Sequence, residues 1–106
     1  MIAIKQYINT GGQSLFDKWF LELNSVAAAK VTKAIYKLEL GNFSTVESVG
    51  NGVYEQKIDF GPGYRVYFGS DGKQIIILLC GDTKKRQSND IVQAKEYWQD
   101  YKRRKK

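Results

Sequence analysis

The spacing of apolar residues divides the N-terminal half of the chain into one strand and two helices. Residues 2–7 predict a short strand, and the turn formers in residues 9–12 close it. Behind a capping Ser14, apolar side chains recur every three or four residues, which predicts a first helix. The same spacing through residues 26–40 predicts a second helix, ended by Gly41.

The second half of the chain predicts three strands and a last helix. Residues 42–52 show no period and are predicted as a loop, and residues 53–68 predict a two-stranded hairpin. Residues 74–80 are apolar on both faces, as in a central strand. A cationic loop at residues 81–87 then leads to a helix capped by Ser88 or Asn89. The predicted apolar stripe of that helix is Ile91, Ala94, Trp98 and Tyr101. The element order is β-α-α-β-β-β-α.

The hairpin carries the candidate chemistry. Gly61, Pro62 and Gly63 form its turn, because proline sets a negative φ and glycine tolerates a positive one. Successive strand residues point to opposite faces, so Tyr64, Val66 and Phe68 are predicted to face the core. The same alternation predicts a solvent-facing set of Lys57, Arg65 and Tyr67. Two cations and a phenol displayed together suit a phosphate-bearing partner.

Length and charge narrow the class of protein. The 106 residues are expected to form a single domain, residues 1–106, with a frayed basic tail at residues 102–106. Residues 1–55 hold five lysines and five acidic residues, whereas residues 56–106 hold twelve basic and six acidic residues. An asymmetric basic surface favours polyanions, above all nucleic acid.

The amino-acid composition excludes several common catalytic arrangements. The chain has no histidine and a single cysteine, Cys80, so it lacks Ser-His-Asp and Cys-His arrangements and the usual zinc ligands. Cys80 lies in an apolar run, where a buried, inert thiol is expected. No stretch is long and apolar enough for a membrane span and no signal peptide is recognisable, so we expect a cytoplasmic protein.

The remaining residues permit RNA cleavage without a metal or cofactor. If the 2′-OH of the RNA attacks the adjacent phosphate, the protein needs only to position it, stabilise its charge and transfer protons. Arg65 suits bidentate phosphate binding and Lys57 a point-charge contact. The basic segment that follows the central strand could reach the same groove with Lys84, Lys85, Arg86 and Gln87.

An ordinary explanation competes with this one. Lys57 and Arg65 could instead pair across strands with Glu55 or Asp59. Asp90 is expected to mark a helix start, where a carboxylate interacts favourably with the helix dipole.

Three segments carry a resemblance to a known family: residues 57–68 (KIDFGPGYRVYF), 75–87 (IIILLCGDTKKRQ) and 90–98 (DIVQAKEYW). With them the chain resembles toxins of bacterial toxin-antitoxin modules in the RelE/HigB superfamily, specifically the phage Gp49-like addiction module killer protein branch. The resemblance implies an α/β (α+β) fold with two N-terminal helices packed on a small, mostly antiparallel sheet, and a C-terminal helix.

The same resemblance implies a function and partners. These toxins are ribosome-dependent endoribonucleases that cut translated mRNA, and a cognate antitoxin, typically a helix-turn-helix protein, masks the active groove. Operator DNA would be met only through the antitoxin complex. Arg65 matches the family's phosphate-binding arginine, Lys57 stands where many relatives have arginine, and Lys84 and Lys85 match the basic segment. The general acid and base stay unassigned, with Tyr97 and Tyr101 as open candidates.

Two other functions stay open. A non-enzymatic toxin that inhibits gyrase, like the ParE toxins of the same superfamily, would keep the fold and act by protein binding. A degenerate toxin would serve only in an antitoxin complex on DNA.

Overall fold

A computed structural model describes residues 1–105. It shows an α+β fold, which confirms the predicted class, with three α-helices and a five-stranded mixed sheet. The strands are β1 (Ala3–Gln6), β2 (Val46–Gly50), β3 (Val53–Ile58), β4 (Tyr64–Asp71) and β5 (Ile75–Thr83), and the helices are α1 (Leu15–Leu21), α2 (Ser25–Glu39) and α3 (Gln87–Arg104). The strands lie in the order β1-β5-β4-β3-β2, and only the β1–β5 pair is parallel.

The two N-terminal helices begin and end on capping residues. The Ser14 Oγ accepts a hydrogen bond from the Asp17 amide at 3.0 Å, and the Asn24 Oδ1 accepts one from the Ala27 amide at 2.9 Å. After α2 the chain turns through Gly41 at φ 77°, a conformation that favours glycine. Both predicted N-terminal helices are therefore present, and their bounds differ from the prediction in detail.

The sheet has a hydrophobic cluster on each face. On one face α1 and α2 cover β-strand residues that include Ile58, Val66 and Leu78. On the other face α3 packs through Ala94 and Trp98 against Val53, Tyr67 and Leu79. Both faces of β4 and β5 are therefore buried, which confirms the prediction of a buried strand at residues 74–80.

Three predicted element bounds are wrong. Residues 42–52 are not a single loop, since β2 lies within them and pairs antiparallel with β3. Residues 81–87 are not a loop either, because β5 runs to Thr83 and a short 3-10 helix, Lys84–Arg86, follows directly. That helix leads into α3, which starts at Gln87 without a side-chain cap from Ser88 or Asn89. The observed element order is β-α-α-β-β-β-β-α.

The last helix extends into the segment 102–106, for which a frayed tail stays a prediction. The helix α3 continues through Arg104, and Lys106 lies outside the described residues. The Asp100 carboxylate pairs with the Arg104 guanidinium one turn later, at 2.8 Å. None of the helices in residues 1–105 has the length and apolar composition needed to cross a bilayer.

Candidate functional site

A basic groove of about 670 Å³ lies where α2 faces the adjoining ends of β2, β3 and β4. Two acidic side chains line it, Glu47 and Asp59. Six basic side chains line it: Lys30, Lys33, Lys37, Lys57, Arg65 and Lys84. With six cations against two carboxylates, the basic groove is a positively charged concavity suited to an anionic chain.

Lys57 and Arg65 lie side by side on one face of the sheet. They are direct partners in the antiparallel register of β3 and β4, so their side chains leave the sheet in the same direction. The Lys57 ammonium forms an ion pair with Glu47 on the edge strand β2. The Lys57 ammonium also donates a hydrogen bond to Glu47. That hydrogen bond, followed by the positive charge of the lysine, lowers the pKa of the Glu47 carboxyl. Lys57 is half-buried and lines the basic groove.

Arg65 is buried and paired, so the prediction that it faces solvent is wrong. Its side chain is 11% exposed, and its Nε lies 3.2 Å from Oε1 of Glu55 without the geometry of a hydrogen bond. Gln87 Nε2 donates a hydrogen bond to the same Oε1 at 2.5 Å. Arg65 therefore pairs across the strands with Glu55, as the alternative to phosphate binding predicted. The arginine nevertheless still lines the basic groove.

Tyr67 does not lie on a solvent-facing surface, so the prediction of an exposed phenol is wrong. The alternation placed it opposite Val66 and Phe68 correctly, but α3 covers that face and Tyr67 is 0% exposed. Its hydroxyl has no hydrogen-bond partner among the described residues. Burial, with the nearby Glu55 carboxylate, raises the pKa of Tyr67. A ring enclosed in this way cannot stack on a nucleobase. Its hydroxyl cannot act as a general base on bound RNA either.

The basic segment after β5 divides between two environments. The backbone amide of Lys84 donates to the Gly63 carbonyl at 2.9 Å, which holds this lysine against the hairpin turn and in the basic groove. Lys85 and Arg86 are exposed and do not line the basic groove. Gln87 holds Glu55 rather than reaching into the groove.

The two candidate tyrosines of α3 lie outside the basic groove. Tyr97 donates to Gln93 at 2.6 Å, and Tyr101 donates to Asp71 at 2.7 Å. Burial is the main cause that raises the pKa of each, and for Tyr101 the value is about 12. Neither phenol is placed to exchange protons at a phosphate bound by Lys57.

Sequence reasoning missed the lysines of α2. Lys30, Lys33 and Lys37 line the basic groove although the charge excess was assigned to the second half of the chain. Their spacing of three and four residues was the available signal, since it places all three on one face of a helix.

A row of charged residues crosses the sheet beside the basic groove. Lys57 pairs in register with Arg65, and Arg65 pairs with Asp82 on β5, so the row reads ammonium, guanidinium, carboxylate. Asp90, in the first turn of α3, interacts with Asp82. Burial, followed by the charge of Asp82 and a hydrogen bond with it, raises the pKa of Asp90 to about 6.

In residues 1–105 no three acidic, histidine or cysteine side chains cluster as metal ligands.

The comparisons with known proteins identify a relative. No protein-family model matches the chain. Over 81 residues the chain is 44% identical to a protein of Haemophilus influenzae described as uncharacterized, an alignment that covers 76% of this chain and 82% of that protein. Identity at this level and coverage marks common descent, and the chain belongs to the same family as this Haemophilus influenzae protein.

Proposed function

We propose that the protein is the toxin of a toxin-antitoxin module and cuts mRNA on the ribosome by attack of a 2′-OH on the adjacent phosphate. The observation that carries the proposal is the basic groove, in which Lys57 and Arg65 lie side by side. The resemblance of residues 57–68 to RelE/HigB toxins supports the same activity. The site of action would be the cytoplasm, where ribosomes meet message.

Each groove cation has a part in this chemistry. Lys57 and Arg65 would hold the scissile phosphate, and Lys84, at the other side of the hairpin turn, would neutralise charge that develops on it. The contact with Glu55 limits the motion of the Arg65 side chain, so less entropy is lost when it meets a phosphate. The α2 lysines would extend the contact along the RNA backbone.

A cognate antitoxin is part of the proposal. A cationic groove that stops translation must be neutralised for the host to survive, and an acidic segment lying in it would do so. A small helix-turn-helix gene adjacent to this one is expected, and contact with operator DNA would come through that partner.

A second function is favoured by the state of Arg65 and Tyr67. The charge of Arg65 is compensated by Glu55 and the ring of Tyr67 is enclosed, so two groups expected to act on RNA are engaged elsewhere. A protein-binding toxin that inhibits gyrase, or a toxin kept only for its antitoxin complex, needs neither group free.

Primer extension on cellular mRNA after induction separates these functions. Cleavage predicts discrete cuts within translated codons, lost in Lys57→Ala and in stably folded Arg65→Ala but kept in Lys18→Ala, an exposed cation of α1. Intact message with damaged DNA would support the gyrase inhibitor. Intact message and normal growth would support the degenerate toxin.

A further inference from the structure

We propose that Asp82 and Asp90, which lie beside the basic groove, are its proton-transfer pair and share one proton that passes to the leaving 5′-oxygen of the RNA. The inference rests on the proposed RNA cleavage and supplies the general acid that the family resemblance left unassigned.

The position of Asp82 in the charged row carries the first step. Asp82 is the register partner of Arg65, which itself is the partner of Lys57. Directly opposed residues on neighbouring antiparallel strands have their Cβ atoms about 5 Å apart. A phosphate held by Lys57 and Arg65 therefore has the Asp82 carboxylate one strand away, and Asp82 is only partly buried.

The environment of Asp90 carries the second step. Its Oδ2 is enclosed and has no hydrogen-bond partner while both carboxylates are ionised, because an ionised carboxylate only accepts. A single proton between Asp90 and Asp82 supplies the missing bond. A second orphaned group adjoins the pair, since the fully buried Tyr67 hydroxyl also has no partner and interacts electrostatically with Asp90.

The groups packed around the pair favour holding that proton. Asp82 and Cys80 face Asp90 from β5, Tyr67 from β4 and Tyr97 from α3 itself, and none of these carries positive charge. Arg86 of the 3-10 helix is the cation that opposes them, and its effect is the smallest of those acting on Asp90. Two carboxyls so placed titrate as a pair, and the pair keeps one proton until the pH rises through about 6.

The reaction balances with one proton from the pair. The 2′-oxygen forms a bond to phosphorus and releases its proton to water, while the bond from phosphorus to the 5′-oxygen breaks. The 5′-oxygen takes the bonding electrons together with the shared proton. A 2′,3′-cyclic phosphate and a 5′-hydroxyl result, and solvent restores the proton to the pair.

An mRNA with sulfur in place of the leaving 5′-oxygen tests whether the aspartates act as the general acid. The wild-type cut site is mapped first, and ribosomes are then programmed with two short mRNAs that differ only in a 5′-oxygen or 5′-sulfur at that site. A thiolate leaves without protonation. We expect Asp90→Asn and Asp82→Asn to slow cleavage of the oxygen substrate by about 10² to 10⁴-fold and to leave the sulfur substrate near the wild-type rate.

The matched control is Asp17→Asn, a carboxylate in the first turn of α1 whose removal should change neither rate. Equal losses on both substrates would show a structural role and overturn the inference, as would unchanged rates on both. If the wild-type protein cuts neither mRNA, the proposed function itself fails, and the inference falls with it. An independent readout is carboxyl carbon NMR of the free protein. The pKa of Asp90 should fall in Asp82→Asn while burial keeps it above its ordinary value, and an unchanged pKa would contradict the shared proton.

Discussion

The Nε of Arg65 lies 3.2 Å from Oε1 of Glu55, a carboxylate that is 1% exposed and also accepts a hydrogen bond from Gln87. One buried anion thereby fixes the arginine of β4 and the first residue of α3. Through Glu55, a cation of the basic groove is linked to the start of α3.

Removal of the Glu55 charge should destabilise the fold. Glu55→Gln leaves a largely buried guanidinium without its counter-ion, and loss of one partner of such a pair costs about 3 kcal/mol. Urea denaturation measures the difference in the free energy of unfolding. Glu47→Gln, which removes the exposed partner of Lys57, is the comparison and should change stability little. Equal effects from the two substitutions would show that the buried pair contributes nothing special.

The docking of α3 depends on a glycine. A Cβ at Gly69 would lie 2.4 Å from the Trp98 ring, so Gly69→Ala must displace the indole. We expect a loss of about 1 to 3 kcal/mol in the free energy of unfolding and a change in tryptophan fluorescence. Gly11→Ala, where the nearest atom is the Asn9 Oδ1 at 3.4 Å, is the control. A fully stable Gly69→Ala protein would contradict the packing of α3.

Stability at Asp90 should depend on pH with a defined sign. Because the pKa of Asp90 is raised from 3.8 to about 6 in the folded protein, the folded state binds the proton more tightly than the unfolded state does. This contribution is present below pH 4 and is lost as the pH rises through 6. Asp90→Asn should therefore match the wild-type protein at pH 4 and exceed its stability by about 1 to 2 kcal/mol at pH 8. Thermal unfolding across this range checks it, and a variant less stable at pH 8 would contradict it.

Phosphate contacts in the basic groove should appear as a salt dependence. For single-stranded RNA, each neutralised phosphate contributes about 0.7 to the slope of log affinity against log salt concentration. Lys33→Ala or Lys57→Ala should lower the slope by about that amount, measured by fluorescence anisotropy on a short RNA. Lys18→Ala should not alter it. Identical slopes for all four proteins would exclude the basic groove as the RNA site.

Most of the fold could be predicted from local sequence patterns. The strand β2, which was not predicted, also had a local signal in the sequence. The cap at Ser14 and the turn glycines satisfy local hydrogen-bonding and backbone needs, which a sequence displays directly. The strand β2 has no apolar period, because it is an edge strand whose pairing with β3 holds it. The Asn51-Gly52 turn, with φ of 59° and 82°, was the hairpin signal within the supposed loop.

The candidate site was harder to predict because it depends on contacts between distant segments. Alternation put Arg65 and Tyr67 on one face, but it cannot tell which face a helix from the end of the chain will cover. Burial of Tyr67 under α3 and the hydrogen bond between Gln87 and Glu55, 32 positions apart, arise only in the folded protein. The α2 lysines join the basic groove for the same reason.

Cleavage by the basic groove is tested most directly by the chemistry of the cut ends. In a purified translation system, wild-type protein should leave a 2′,3′-cyclic phosphate on the upstream mRNA fragment and a 5′-hydroxyl on the downstream one. Lys57→Ala should yield markedly less of both ends. Uncut message, or fragments with 3′-hydroxyl and 5′-phosphate ends, would contradict 2′-OH attack in this groove.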